Sequence, residues 1–217
     1  MTAEPRQPSL AVLYESRGFA EYRVNSTLAG YAREFSAVRE SIEALVAGLS
    51  EADLRWRPRE GRWSVVECLD HLNNGWKLLP KLDRKIAEAR TAGLLETGPF
   101  HRTWFGRAYI RAVEPPVRLR VPAPRRYRPR INPPPAEVVP LILGLQDEFV
   151  LRVRAADGLD VGAIRMSSPI TRHLKMTLGE WFAFLAGHER RHLWQAANVR
   201  RALAAGGQVS GQVSGDG

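Results

Sequence analysis

No stretch of about 18 apolar residues occurs in this 217-residue chain, which excludes a membrane-spanning helix of ordinary length. The opening MTAEPRQPSLAVLYESRG lacks the basic start and apolar stretch of a secretory leader. A cytoplasmic protein is therefore expected. Cysteine is scarce: Cys68 is the only one, so an internal disulfide is impossible and a reducing compartment fits. As a small apolar residue in a helical segment, Cys68 reads as packing rather than as a reactive thiol. Lysine is scarce too, with four among 32 basic residues. Convincing strand-period alternation is also missing, which argues against a sheet protein. At 44% hydrophobic, the chain can bury the core of one domain.

The net charge of +9 is local. Between Phe100 and Arg130 stand Arg102, Arg107, Arg111, Arg118, Arg120, Arg125, Arg126, Arg128 and Arg130 against one acid, Glu114. Six of these arginines fall in RLRVPAPRRYRPR, where Pro122, Pro124 and Pro129 forbid a helix and favour extended chain. An Arg-rich strip with Tyr127 and Trp104 nearby suits an anionic substrate or phosphates. No recognised nucleic-acid-binding motif accompanies it, however, and arginine is favoured over lysine along the whole chain. A solvated linker is the preferred reading, and nucleic acid is not an expected partner.

What the chain has is helical periodicity. Leu28, Tyr31, Phe35, Val38, Ile42, Leu45 and Leu49 recur at steps of three and four, as do Val138, Ile142, Leu145, Phe149, Val153 and Ala156 less strictly. Between these runs, Ser64 and Glu67 have capping-box spacing ahead of a broad apolar face that includes Val65, Leu69, Leu72, Trp76, Leu79 and Ile86. Thr177 and Glu180 repeat that signature before the last helical segment. Four amphipathic helices predict an all-α fold, a four-helix bundle with a long crossover connection between its second and third helices. That Arg/Pro-rich connection, residues 91–135, holds a short helix near Arg102 to Val113. One domain spans 1–204, and the closing Gly- and Ser-rich residues 205–217 are expected to be disordered.

Histidine supplies the chemistry. In the last segment the core-facing stripe reads Leu178, Trp181, Leu185, His188, His192, Gln195 and Val199, so two imidazoles and an amide occupy positions that should be apolar. His188 and His192 lie one turn apart on one face. Their burial without shared partners would be costly, and a metal ion would relieve it. The spacing alone also fits a pair of hydrogen-bonded core histidines. His71 sits at the edge of the second helix's apolar face. Glu67, one turn before His71, suits either the cap or an orienting role, and Gln195 suits a hydrogen bond to a ligand or bound water. Glu189 is expected to be solvated or ion-paired. His101 and His173 read as loop histidines, with His173 near the mouth of the site. Trp56, Trp63, Trp76, Trp181 and Trp194 read as packing residues.

RWRPREGRWSVVECLDHL followed by MTLGEWFAFLAGHERRHLWQ resembles the DinB-like superfamily of four-helix bundles. Its pattern W-S-x-x-E-x-x-x-H falls on Trp63, Ser64, Glu67 and His71, and its H-x-x-x-H-x-x-Q on His188, His192 and Gln195. The resemblance covers about residues 24–204 and implies a divalent metal, Zn, Ni or Fe, held by His71, His188 and His192. Glu67 and Gln195 would support those ligands. It also implies an enzyme acting on a small molecule, most simply a transferase using a low-molecular-weight thiol such as bacillithiol or mycothiol. A metal-dependent hydrolase and a non-catalytic metal-binding stress-response protein are the alternatives. A homodimer is expected on general grounds.

Overall fold

Reciprocal caps fix the start of both histidine-bearing helices. Ser64 Oγ accepts from Glu67 N at 3.2 Å while Ser64 N donates to the Glu67 carboxylate at 2.9 Å, and the pair opens α3 (Val65–Leu72). Thr177 and Glu180 exchange the same two bonds, at 3.0 and 3.1 Å, ahead of α7 (Leu178–Gly211). Each box satisfies backbone donors that a helix start leaves open, and so sets the register of the histidines behind it. The computed structural model describes residues 26–96, 100–116, 122–167 and 174–211.

The remaining elements are α1 (Ser26–Val46), a one-turn α2 (Glu51–Arg55), α4 (Leu79–Thr91), α5 (Trp104–Val113) and α6 (Pro135–Ala155). The second bundle helix is not continuous: a 3-10 stretch, Asn73–Leu78, separates α3 from α4. Pro80 has no N–H to bond the carbonyl four residues back, and Trp76 O instead accepts from Leu79 N in the tighter pattern. A Cβ at Gly75 would stand 2.7 Å from a Leu145 methyl, so the missing side chain there lets the 3-10 stretch seat against α6.

Both α1 and α3 pack against α6 and α7. Consecutive bundle helices α1 and α3 therefore lie across the diagonal, as do α6 and α7, while the connection from Ala92 to Pro134 joins neighbours. The core between them includes Tyr31, Phe35, Ile42, Leu69, Ile142, Leu145, Phe149 and Phe182, each at most 2% exposed, and each such side chain contributes roughly 1.5–3 kcal/mol by burial. Within the long connection α5 packs on α7, in the place where a short helix is expected.

A small antiparallel hairpin, β1 (Arg165–Ser167) paired with β2 (Lys175–Thr177), leads into α7; three-residue strands are too short to show alternation. The last helix, α7, runs on to Gly211, since extending an existing helix needs no new nucleus. Residues 212–217 lie outside the described residues.

Candidate metal centre

Two helices, one from each half of the chain, bring the histidines together. His71 lies in the last turn of α3, and His188 and His192 occupy one face of α7. Their ligand atoms lie within 4.8 Å of one another. The rings stand 4.4 to 5.2 Å apart, centroid to centroid. His71 Nε2 and His188 Nε2 face each other at 3.3 Å. Two imidazole nitrogens on one tetrahedral ion at roughly 2.0–2.1 Å would be about 3.3–3.4 Å apart.

The protonation chemistry agrees. Tyr127 O, a backbone carbonyl, lies 2.6 Å from His71 Nδ1. A carbonyl can only accept, so the proton sits on Nδ1 and the Nε2 lone pair points at the other histidines. Burial, then the His71 and Arg191 charges, hold His188 down to about 3. Burial lowers His71 as well, against the opposing pull of Tyr127 O and Asp70. His192 is driven well below the ordinary value by burial and by His188, His71 and Arg191. All three are thus neutral near pH 7, the form that binds a metal. Gln195 bears on the His192 ring, yet His192 Nδ1 is buried without a hydrogen-bond partner. Each ring offers one nitrogen within reach of a single divalent ion, and a buried imidazole nitrogen left without a partner is a cost that a core packed for stability alone would avoid.

The surround was less legible. Glu67 does not touch His71: its carboxylate takes the Ser64 cap, the Arg57 guanidinium and Asn132 N at 3.4 Å. The competition between cap and orienting role is won by the cap, and a backbone carbonyl orients His71. Glu189 is not solvated but 2% exposed, facing Gln146 on α6 at 3.1 Å. Trp63 is more than packing. It lies over His192 and His71 at 5.8 and 5.1 Å, while Phe184 stacks on His188 at 5.7 Å and on Tyr109 at 5.3 Å. Trp181 is buried as expected, but Trp76 and Trp194 are over a third exposed. His101 is exposed, and His173, Arg118 and Arg120 lie outside the described residues. Arg130 is engaged by Asp70 and Glu137, and Arg102 reaches Tyr31 Oη at 3.1 Å, so part of the Arg-rich segment serves internal contacts. Cys68 is fully buried, and burial pushes its thiol far up, which makes it inert.

Fold and site together define a helical-bundle protein with a cluster of three histidines that could hold a metal ion. Residues 34–196 match the sequence model of the DinB superfamily, and the chain belongs to that family. No curated protein matches the chain. Among solved structures it is similar to YfiT from Bacillus subtilis, described as "a probable metal-dependent hydrolase with an unusual four-helix bundle topology". The two share 14% identity, with a TM-score of 0.53 over 87% of this chain and 94% of that one, a likeness of fold.

Proposed function

We propose that this protein is a metal-dependent enzyme that activates a small nucleophile at the three-histidine centre, with a low-molecular-weight thiol as the nucleophile and S-transfer to a small electrophile as the reaction. The observation that carries this reading is the convergence of three imidazoles kept neutral by their surroundings, two of them with Nε2 atoms 3.3 Å apart. His71, His188 and His192 would hold a Zn, Ni or Fe ion, which would supply Lewis acidity that lowers the pKa of a bound thiol or water.

The chain's own residues define what can approach. His188 keeps some exposed surface while its two partners are buried, so the open side lies toward His188. The Arg191 charge acts on His188 and His192, and favours an anionic nucleophile there. Trp63 and Phe184 present apolar faces on either side, suited to an apolar group on the electrophile. The acids adjoining the site in sequence are engaged: Glu67 by Arg57, Asp70 by Arg130 and Glu189 by Gln146. None of the three is placed to take a proton. A thiol, with a free pKa of about 8.5 against about 15.7 for water, makes the smaller demand on such a site.

Hydrolysis is the second reading, favoured by the description of YfiT. A reducing cytoplasm and a two-fold dimer fit either reaction. In purified protein, thiol consumption with an electrophile should require added metal and disappear in His188→Ala. Activity that survives this change sinks the mechanism; turnover of an ester without thiol selects hydrolysis, and metal binding without any turnover selects the non-catalytic alternative.

A further inference from the structure

The Arg- and Pro-rich connection ends in a strap, residues 122–132, that lies against α3. Its own bonds shape it: Tyr127 N donates to Pro124 O at 2.8 Å and Arg128 N to Arg125 O at 3.3 Å, closing a 3-10 turn over Arg125–Tyr127. The Tyr127 carbonyl, at the end of that turn, accepts from His71 Nδ1 at 2.6 Å and from Asn74 Nδ2 at 3.1 Å. Two α3 carboxylates anchor the rest of the strap. Asp70, only 7% exposed, accepts Arg130 N at 2.7 Å and the Arg130 guanidinium at 2.9 and 3.1 Å. Glu67 accepts Asn132 N, and Asn132 turns the chain toward α6 with φ 53°, a conformation asparagine tolerates better than most residues.

We propose that this strap is a positioning device for the centre, in which the Asp70–Arg130 lock holds the Tyr127 carbonyl on His71 and thereby fixes the ring and leaves Nε2 free as a ligand. The proposal rests on the three-histidine metal reading above. Its physical content is the partner of a ligating histidine: the group that takes the other ring N–H sets tautomer and orientation. Here that group is a backbone carbonyl, and a loop carbonyl stays in place only if the loop does. Asp70 and Arg130 touch no reacting atom and act through Tyr127 on His71. By linkage, an ion that needs the strap closed also holds it closed.

The test uses the full chain as parent, Arg130→Ala, Arg130→Lys and Asp70→Asn. Zinc affinity is read by chelator competition, and the His71 tautomer is read by nitrogen NMR on the metal-free proteins. Arg130 is half-exposed, so its truncation leaves the bundle folded, and circular dichroism checks this. We expect Arg130→Ala and Asp70→Asn to bind zinc about 10- to 100-fold more weakly. The fixed Nδ1–H signature should give way to a mixture, with Arg130→Lys in between. Parent-like affinity and tautomer in both Arg130→Ala and Asp70→Asn would overturn the proposal. A parent that binds no zinc but shows the fixed tautomer, lost in the variants, would overturn the metal reading and leave the strap's action on His71 supported; no zinc and a mixed tautomer in the parent would overturn both.

Discussion

Glu189 follows a histidine of the centre, yet its carboxyl faces α6. One oxygen accepts from Gln146 Nε2, while the other, like Gln146 Oε1, is buried without a partner, as expected of two groups that can only accept. Burial pushes this carboxyl up to about 8, so it is protonated at neutral pH, and that proton is the donor the pair lacks. Linkage gives the sign. Between the ordinary value of 4.5 and about 8 the unfolded chain gives up a proton that the folded chain keeps, so stability falls as pH rises through this window and levels off above it. At pH 7 the cost is on the order of 3 kcal/mol. Glu189→Gln keeps an amide beside Gln146 and has nothing to ionise. Urea unfolding should show it more stable than the parent at pH 8 and close to it near pH 4.5. An equal difference at both pH values would mean that Glu189 is ionised in the folded protein.

At the scale of elements, two close approaches hold the helices in register. A Cβ on Gly106 of α5 would overlap the Glu180 carboxylate, which cannot step aside because Thr103 N, Thr103 Oγ1 and Thr177 N all donate to it. At Gly75 the obstacle is a Leu145 methyl and the Phe149 ring edge, side-chain ends that can turn. Gly106→Ala should therefore cost more than Gly75→Ala, about 1–3 kcal/mol by overpacking, read as the larger drop in thermal midpoint; the reverse order would refute this account of how α5 is seated. Both capping boxes were legible because their bonds are local, three residues apart. The face carrying His188 and His192 was legible because polar residues interrupt an apolar stripe. The 3-10 break was not read, although Gly75 and Pro80 signal it. Tyr127 could not be read, since what it gives His71 is a backbone carbonyl, which every residue has, and Asp70 matters only through a partner 60 residues away.

For the whole molecule, the proposed metal and the proton would compete for one set of groups. In the folded protein the three imidazoles resist protonation, His188 down to about 3, whereas in the unfolded chain they take protons near the ordinary value of 6.5. Between about 3 and 6.5 the unfolded state binds more protons, so stability is lost as pH falls through this range and is complete above it. A divalent ion needs the same neutral rings, and among the described residues no other group of three His, Cys, Asp or Glu side chains offers it a site. Ion bound only to the folded state adds RT ln(1 + [L]/Kd), about 2.7 kcal/mol at a concentration 100 times Kd. Zinc should accordingly raise the thermal midpoint of the parent at pH 7.5, still raise it at pH 6, where the folded rings stay neutral, and have no effect on His188→Ala/His192→Ala. Excess chelator should return the parent to its metal-free midpoint. A zinc-induced rise that persists in the double variant would place the ion elsewhere, and the convergence of His71, His188 and His192 would then be a feature of the core alone.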